Sequence, residues 1–335
     1  MKIAFNCALI GSLVLVTSAW AQTTSAPAPS AGLLNDWLRR ENSAFAKWDL
    51  VGSARGRYEV KDGYGIPGVP GSLDFRNDGV DVRNEYWTER LRYRVGYHDT
   101  WWSALVEGRS SFAQSDQRWG YFSSPAPAGT ANRKGDGPES DTVDLHQAYL
   151  TIGNAKEFPL TAKLGRQELS YGDERLVGAF GWNNIGRVFD AAKLRLQYDA
   201  FGMDFFSGWV VVPEDNRFNK DNDHDWFSGI YVNLTGVPKH LLDLYFFSRN
   251  ADRKAISAAD SPQAPQPGAR DIYTIGFRLK SKPAETGAWD YYVEAAYQFG
   301  NFQDRRLAGG PRLDHQAWMA VAGGGYTFKE AWGKL

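Results

Sequence analysis

Cysteine, histidine and methionine are scarce, and neither sign of charge prevails: the 335 residues hold one cysteine, five histidines, three methionines, 38 basic and 39 acidic side chains. The single Cys7 sits in the first apolar run, which leaves the rest of the chain without disulfides or thiol chemistry. Beyond Val16 no run approaches the roughly 18 consecutive apolar residues of a membrane helix, so any contact with a bilayer must be made by strands. No strongly charged tail points to a nucleic-acid partner. A barrel hydrolase, the competing enzyme class, would need a nucleophile beside a histidine base. His98, His146, His224, His240 and His315 lie mostly at segment ends or in loops, and no Gly-x-Ser-x-Gly element accompanies them. Asp221, Asp223 and Asp225 imitate the start of a calcium loop but lack its glycine and distal glutamate, and read as a solvated acidic loop. Neither a metal nor a cofactor is expected.

What the chain does contain begins with an export signal. Lys2 precedes an apolar run from Ile3 to Val16, and Ala19-Trp20-Ala21 has the small-x-small form of a cleavage site, so residues 1–21 read as a signal peptide. Residues 22–46 start with Ala, Pro, Ser and Thr and read as a disordered periplasmic leader. Order is expected from near Trp48, within a single unit over 47–335.

Glycine and aromatic residues are abundant in the chain as a whole, with 35 Gly, 13 Trp, 16 Tyr and 19 Phe. Strand-like segments fall near 48–60, 84–98, 101–113, 142–153, 160–171, 186–198, 201–213, 226–236, 240–250, 270–281, 289–300 and 316–328. Each is close to the roughly 9–11 residues of a tilted membrane strand. Long polar connections alternate with short ones, the asymmetry of an outer-membrane barrel with loops outside the cell and turns in the periplasm. The fold class expected is all-β: a transmembrane antiparallel up-and-down β-barrel. A secreted lectin or sandwich is the third class, and extraction without detergent would mark it. The ending FKEAWGKL, with a turn over Lys329–Ala331 and a strand opening at Trp332, reads as an incomplete chain.

Alternate residues divide the faces. Tyr273, Ile275, Phe277 and Leu279 oppose Thr274, Arg278 and Lys280, and one such face suits lipid. Strands that present it to a bilayer must close, because every backbone polar group there has to be paired. Trp101, Trp102, Trp209, Trp226, Trp289 and Trp318 are expected near strand ends as an aromatic girdle. The stretch NEYWTERLRYRVGYHDT sets Arg90, Arg92 and Arg94 against Trp87, Leu91, Tyr93, Val95 and Tyr97. The same parity turns Arg55, Arg57, Arg109, Lys163, Arg187, Lys193, Arg195, Arg249 and Arg278 inward, against fewer acids, chiefly Glu59, Glu107, Asp243 and Glu294. A lumen with excess arginine and a low-dielectric wall enriches anions. The bland alternative is internal salt bridges, Glu107 with Arg109 and Glu59 with Arg57. Guanidinium forks onto carboxylate, which makes a carboxylated solute the natural one.

LHQAYLTI (145–152), GRQELSYGDERLVG (165–178) and WNNIGRVFDAAKLR (182–195) resemble signature stretches of the alginate export family of outer-membrane porins. The resemblance runs from about Trp48 to the C-terminus. It implies a barrel in outer-membrane lipid that passes an acidic polysaccharide or oligosaccharide such as alginate through an arginine-lined constriction, with periplasmic export or assembly partners. A general anion porin is the alternative. The matching positions add Arg166, Gln167, Glu168 and Asp190 to the pore-lining candidates. Strict parity sets Arg166 beside Leu164 on the lipid face, so either a bulge turns it inward or it lies at the rim.

Overall fold

The computed structural model describes residues 32–62, 84–115, 139–213, 218–255, 268–303 and 310–328. The signal peptide, most of the Ala/Pro/Ser/Thr leader and the turn expected at Lys329–Ala331 lie outside these. Twelve strands form one antiparallel sheet in which each pairs with its sequence neighbours: β1 (Trp48–Lys61), β2 (Asn84–His98), β3 (Trp102–Gln114), β4 (Asp141–Ile152), β5 (Leu160–Gln167), β6 (Phe189–Gln197), β7 (Phe201–Val212), β8 (Lys220–Leu234), β9 (His240–Ala251), β10 (Arg270–Ser281), β11 (Trp289–Gln303) and β12 (Arg312–Tyr326). Among the described residues no pairing joins β1 to β12. Ahead of β1, residues that the leader assignment would leave disordered form α1 (Leu33–Glu41) and a 3₁₀ turn (Ser43–Lys47). Asn35 holds α1 to the strand, its amide donating to Asp49 Oδ1 at 2.8 Å while its Oδ1 accepts from Leu50 N at 2.8 Å.

The period-two reading holds along the sheet. Leu91, Tyr93 and Val95 are about half exposed, and so are Val106, Leu164, Leu194, Phe205, Leu244, Phe246, Ile275 and Phe277, all on one face. The opposite face holds the buried polar and aromatic side chains. Residues 168–188 lie against that face and touch strands from β1 round to β11, so the sheet curls about them; we call it the inner face. Trp48, Tyr97 and Trp102 cluster with ring centroids 5.1 Å apart where β1 begins, and Trp289 packs on Tyr326 at the same edge. Trp209 meets Trp226 edge-on at 4.5 Å toward the opposite edge. Trp318 departs from the girdle: β12 starts at Arg312, which puts Trp318 in mid-strand.

Other boundaries also differ from the sequence reading, each for a local reason. β8 starts at Lys220, so Asp221, Asp223 and Asp225 sit on a strand and form no acidic loop. A register shift between Trp209 and Val211 lets this early part of β8 pair with β7. β5 stops at Gln167 and β6 begins only at Phe189, leaving Glu168 and Arg187 in the connection, where strand parity does not apply. Gly186, at φ +84, adopts a backbone geometry that interrupts an extended run there.

Candidate functional site: a constriction on an infolded loop

The 168–188 connection is held from two sides. Leu169 and Val177, 1% and 5% exposed, sink into a cluster with Phe189, Phe206, Tyr231, Tyr245 and Phe247 from β6 to β9. The Tyr171 ring stacks on Tyr231 at 4.6 Å and on Phe206 at 5.4 Å, contacts worth about 0.5–1.5 kcal/mol each beyond the area they bury. Beyond Gly172 the chain turns to charge: Asp173 accepts from Arg278 Nη2 at 2.8 Å and from Arg175 at 3.0 Å, and Arg175 also donates to Glu294 of β11. The first half of the loop is thus fixed to β6–β11.

Its second half reaches β1–β4. Asn183 Oδ1 accepts from the N–H groups of Ile185 (2.8 Å) and Gly186 (3.1 Å), which tightens the turn. Asn184 is fully buried. Its Nδ2 donates to the carbonyls of Glu89 (2.9 Å), Phe112 (3.1 Å) and Glu139 (3.1 Å), its N–H to Glu139 Oε2 (2.9 Å), and its carbonyl accepts from Ser111 Oγ (2.8 Å). Between this pivot and Ala179 the peptide groups of 181–183 face the arginines of β1 and β2. Arg55 donates to the carbonyls of Gly181 (3.1 Å), Trp182 (3.1 Å) and Asn183 (3.2 Å); Arg90 donates to those of Gly181 (3.2 Å) and Asn183 (3.1 Å). Arg57 donates to Trp182 O at 2.6 Å and lies 4.5 Å over the Trp182 ring.

Arg55 and Arg90 stand directly opposite one another in the β1–β2 register. Like charges facing across a ladder repel. Among the described residues neither forms an ion pair; carbonyl oxygens alone solvate them. Most other inward cations have carboxylates. Arg57 pairs with Glu59 and, at 3.4 Å, with Glu139; Arg92 with Glu168 (3.3 Å) and Glu107 (3.6 Å); Arg94 with Asp49 (3.7 Å). Lys193 and Arg195 share Asp204 at 3.6 and 2.8 Å, Arg249 and Arg270 share Asp225, each at 2.7 Å, and Arg278 holds Asp243. Lys163 rests 3.6 Å over the Tyr149 ring. The inward acids are therefore more numerous than the parity reading allowed. Asp225 enters because β8 starts early, Glu139 and Asp173 enter from connections that were left out of the count, and Asp49 and Asp204 add to the acids of the expected strands. Glu168, a candidate from the resemblance alone, enters because it leaves the strand after Gln167. Of the two bridges in the bland alternative, Glu59–Arg57 forms and Glu107–Arg109 does not, since Glu107 turns to Arg92.

Arg109 belongs instead to a buried network the sequence did not reveal. It is 1% exposed, pairs with Asp141 and, at 3.6 Å, with Asp144, and donates to His146 Nδ1 at 3.1 Å and to Ile185 O. A shift in the β3–β4 register between Glu107 and Gly108 turns His146 inward where plain alternation would face it to lipid. Guanidinium only donates, so Nδ1 accepts and Nε2–H donates to Glu168 Oε1 at 2.9 Å.

Arg166 and Asp190 resolve differently. Paired in register, they form a two-pronged ion pair, Nε to Oδ1 and Nη2 to Oδ2 both at 2.8 Å, on the outward side shared with Leu164 and Leu194; Arg166 Nη2 also reaches Asn219 O at 3.0 Å. The β5–β6 register has no bulge to turn Arg166 inward, and the pair lies at the strand ends, where Arg166 Nη1 comes within 3.8 Å of Asp144, the carboxylate that Arg109 also approaches. Gln167 is buried and donates to Ala191 O at 2.9 Å, tying β5 to β6. Arg187 lies off any strand, its N–H donating to Ala179 O at 2.8 Å and its guanidinium 5.9 Å from the Phe180 ring.

Two loop carboxylates are tuned by these contacts. Burial pushes Glu168 upward, but the His146 hydrogen bond and the charges of Arg92 and Lys163 outweigh it and hold the group below the ordinary glutamate value. Burial likewise acts upward on Asp173, and Arg278, Lys280 and Arg175 reverse it. A carboxylate depressed in the folded state contributes stability above its unfolded value and loses it as pH falls through the folded one. The loop should therefore loosen below the ordinary aspartate value of 3.8. Amide exchange over 169–178 should accelerate there, and Asp173→Asn should show fast exchange already at neutral pH; equal protection of both proteins across the range would contradict the clamp.

A family model, Alginate export, matches residues 81–334. The chain belongs to the alginate export family. It is an outer-membrane protein, and its twelve-stranded sheet is the antiparallel up-and-down β-barrel fold of a porin. Comparison with curated protein sequences gives no match. Solved structures similar to this family member include a BenF-like porin from Pseudomonas fluorescens Pf-5, at 11% identity and TM-score 0.38, covering 76% of this chain and 67% of that one. Pseudomonas aeruginosa OpdK with vanillate is similar at 13% identity and TM-score 0.37, covering 82% and 76%. OmpT of Vibrio cholerae, in trimer form, is similar at 12% identity and TM-score 0.34, covering 84% of each chain.

Proposed function

We propose that this outer-membrane channel passes anionic solutes, acidic polysaccharide or oligosaccharide such as alginate, through a constriction formed by the 168–188 loop and the inner-face cations. One observation carries the reading: Arg55 and Arg90 face each other with carbonyl oxygens for partners and without a carboxylate among the described residues. Two adjacent uncompensated guanidiniums raise the local positive potential and favour anion entry, while the Asp and Glu partners neutralise most cations elsewhere on the wall. Arg57, Arg92 and Arg94 extend the basic row on either side. A carboxylate handed along such a row meets charged forks in sequence and is held by none too tightly, the condition for conduction.

The test is the reversal potential of the refolded protein in planar bilayers under a salt gradient at neutral pH. The wild type is expected to prefer anions, and Arg55→Glu with Arg90→Glu to prefer cations. A cation-selective wild type would overturn the proposal.

A further inference from the structure

We propose that Arg55 and Arg90 form a carboxylate subsite whose resident occupant is the protein's own 181–183 backbone, and that an acidic sugar binds there by displacing this tip, which widens the constriction. The inference rests on the anion-channel reading above and adds a moving part to it.

The donors are already aimed. Arg55 and Arg90 direct five hydrogen bonds onto three consecutive carbonyls at 3.1–3.2 Å, and Arg57 adds a sixth at 2.6 Å. These oxygens offer partial negative charge only. A carboxylate on the same guanidiniums would form charge-assisted bonds, about twice as strong as neutral ones, and would relieve the repulsion between facing arginines that carbonyl dipoles leave largely in place.

The occupant can leave. Gly181 and Trp182 are exposed, Trp182 at 72% and its neighbour Phe180 at 52%. Phe180 takes φ +53, a left-handed conformation unfavourable for a bulky side chain, so release of the tip relaxes the backbone. A side chain built at Gly181 would meet no atom within 4 Å. The segment is hinged between two fixed points. On one side Ala179 is buried and its carbonyl accepts from Arg187 N at 2.8 Å; on the other Asn184 is buried with its full set of partners. Rotation of the 181–182 peptide groups withdraws three of the five bonds, those of Arg55 to Gly181 and Trp182 and of Arg90 to Gly181. Asn183 O and, for Arg55, Asn184 Oδ1 at 3.4 Å stay in place, so neither anchor nor the aromatic cluster around Leu169 and Tyr171 is disturbed. The tip thus competes with the solute for the same donors, and the constriction is narrowest when no anion is present.

The experiment places a fluorophore on Gly181→Cys in a Cys7→Ser background and titrates the refolded channel with glucuronate, with glucose as the uncharged control. Fluorescence should change saturably with glucuronate and stay flat with glucose. Half-saturation should match that for the effect of glucuronate on single-channel current. Arg55→Gln with Arg90→Gln should raise the half-saturating concentration about ten-fold or more, and Arg55→Lys with Arg90→Lys, which keeps charge without the fork, should fall between. A silent label while glucuronate still modulates current in an anion-selective channel would overturn displacement and leave the channel reading intact. A label that responds equally to glucose and glucuronate, or unchanged in the Gln variant, would overturn the carboxylate subsite. Loss of anion selectivity in the wild type would overturn the reading beneath both.

Discussion

Arg109→Ala is expected to destabilise the protein by about 3–5 kcal/mol, the cost of removing one partner from a buried charge network. Its guanidinium is 1% exposed and compensates Asp141 and Asp144, both at most 1% exposed, while also holding His146 Nδ1 and the Ile185 carbonyl of the infolded loop. Truncation removes the buried cation from Asp141 and Asp144, which keep the neutral Asn219 donors within hydrogen-bond distance, and takes the Arg109 donor from His146 Nδ1 and the Ile185 carbonyl. Urea unfolding in detergent micelles, followed by the mobility difference between heated and unheated samples, reads the change. Adding Asp141→Asn should restore part of the loss, since one uncompensated charge is then removed. Arg90→Ala makes the contrast: it frees carbonyls of an exposed tip and relieves Arg55 of a like charge, so its cost should stay below about 1 kcal/mol. If Arg109→Ala costs no more than Arg90→Ala, the buried network does not hold the loop to β3 and β4.

The difference between those two arginines marks how far the sequence could be read. Period-two alternation identifies the strands and their faces because lipid imposes one requirement on every outward side chain, and Leu91, Tyr93, Val95, Ile275 and Phe277 meet it visibly. Nothing comparable constrains an inner face that mixes both charges, aromatics and an infolded segment. Arg109 and Arg90 have the same parity, yet one is a buried structural cation and the other is solvated by carbonyls. The partners of Arg90 come from a connection whose path is set by Gly172, Gly186 and the Asn183–Asn184 turn, whereas those of Arg109 come from β4 with only Ile185 O from that connection. The doublet in WNNIG was the available signal: two amides between apolar residues, with a glycine next, are suited to a tight turn whose side chains satisfy backbone groups. His146 was hidden for another reason. A single-residue register shift between β3 and β4 reverses its face, and alternation has no term for a bulge. The same device was invoked for Arg166, where the β5–β6 ladder is regular and the side chain stays outward with Asp190.

The face assignment itself makes the second large prediction. On β2, Leu91 and Tyr93 are 53% and 56% exposed on the outward side, and Arg90 and Arg92 alternate with them on the inner side. A basic residue set against lipid near the bilayer midplane costs about 2–4 kcal/mol. Leu91→Arg should therefore lower folding stability in lipid vesicles by that amount and reduce the folded fraction after dilution from urea. Arg92→Glu, one position on, should leave insertion efficient. It does alter the interior: Glu107 and Glu168 would face a third carboxylate in place of their cation, so the channel should shift toward cation selectivity and the loop should exchange faster near Glu168. Adjacent substitutions of opposite charge thus separate the two solvents of the strand, one failing in the membrane and the other inserting with altered selectivity. If Arg92→Glu blocks insertion while Leu91→Arg is tolerated, the inner and outer faces are exchanged, and with them every contact assigned to the constriction.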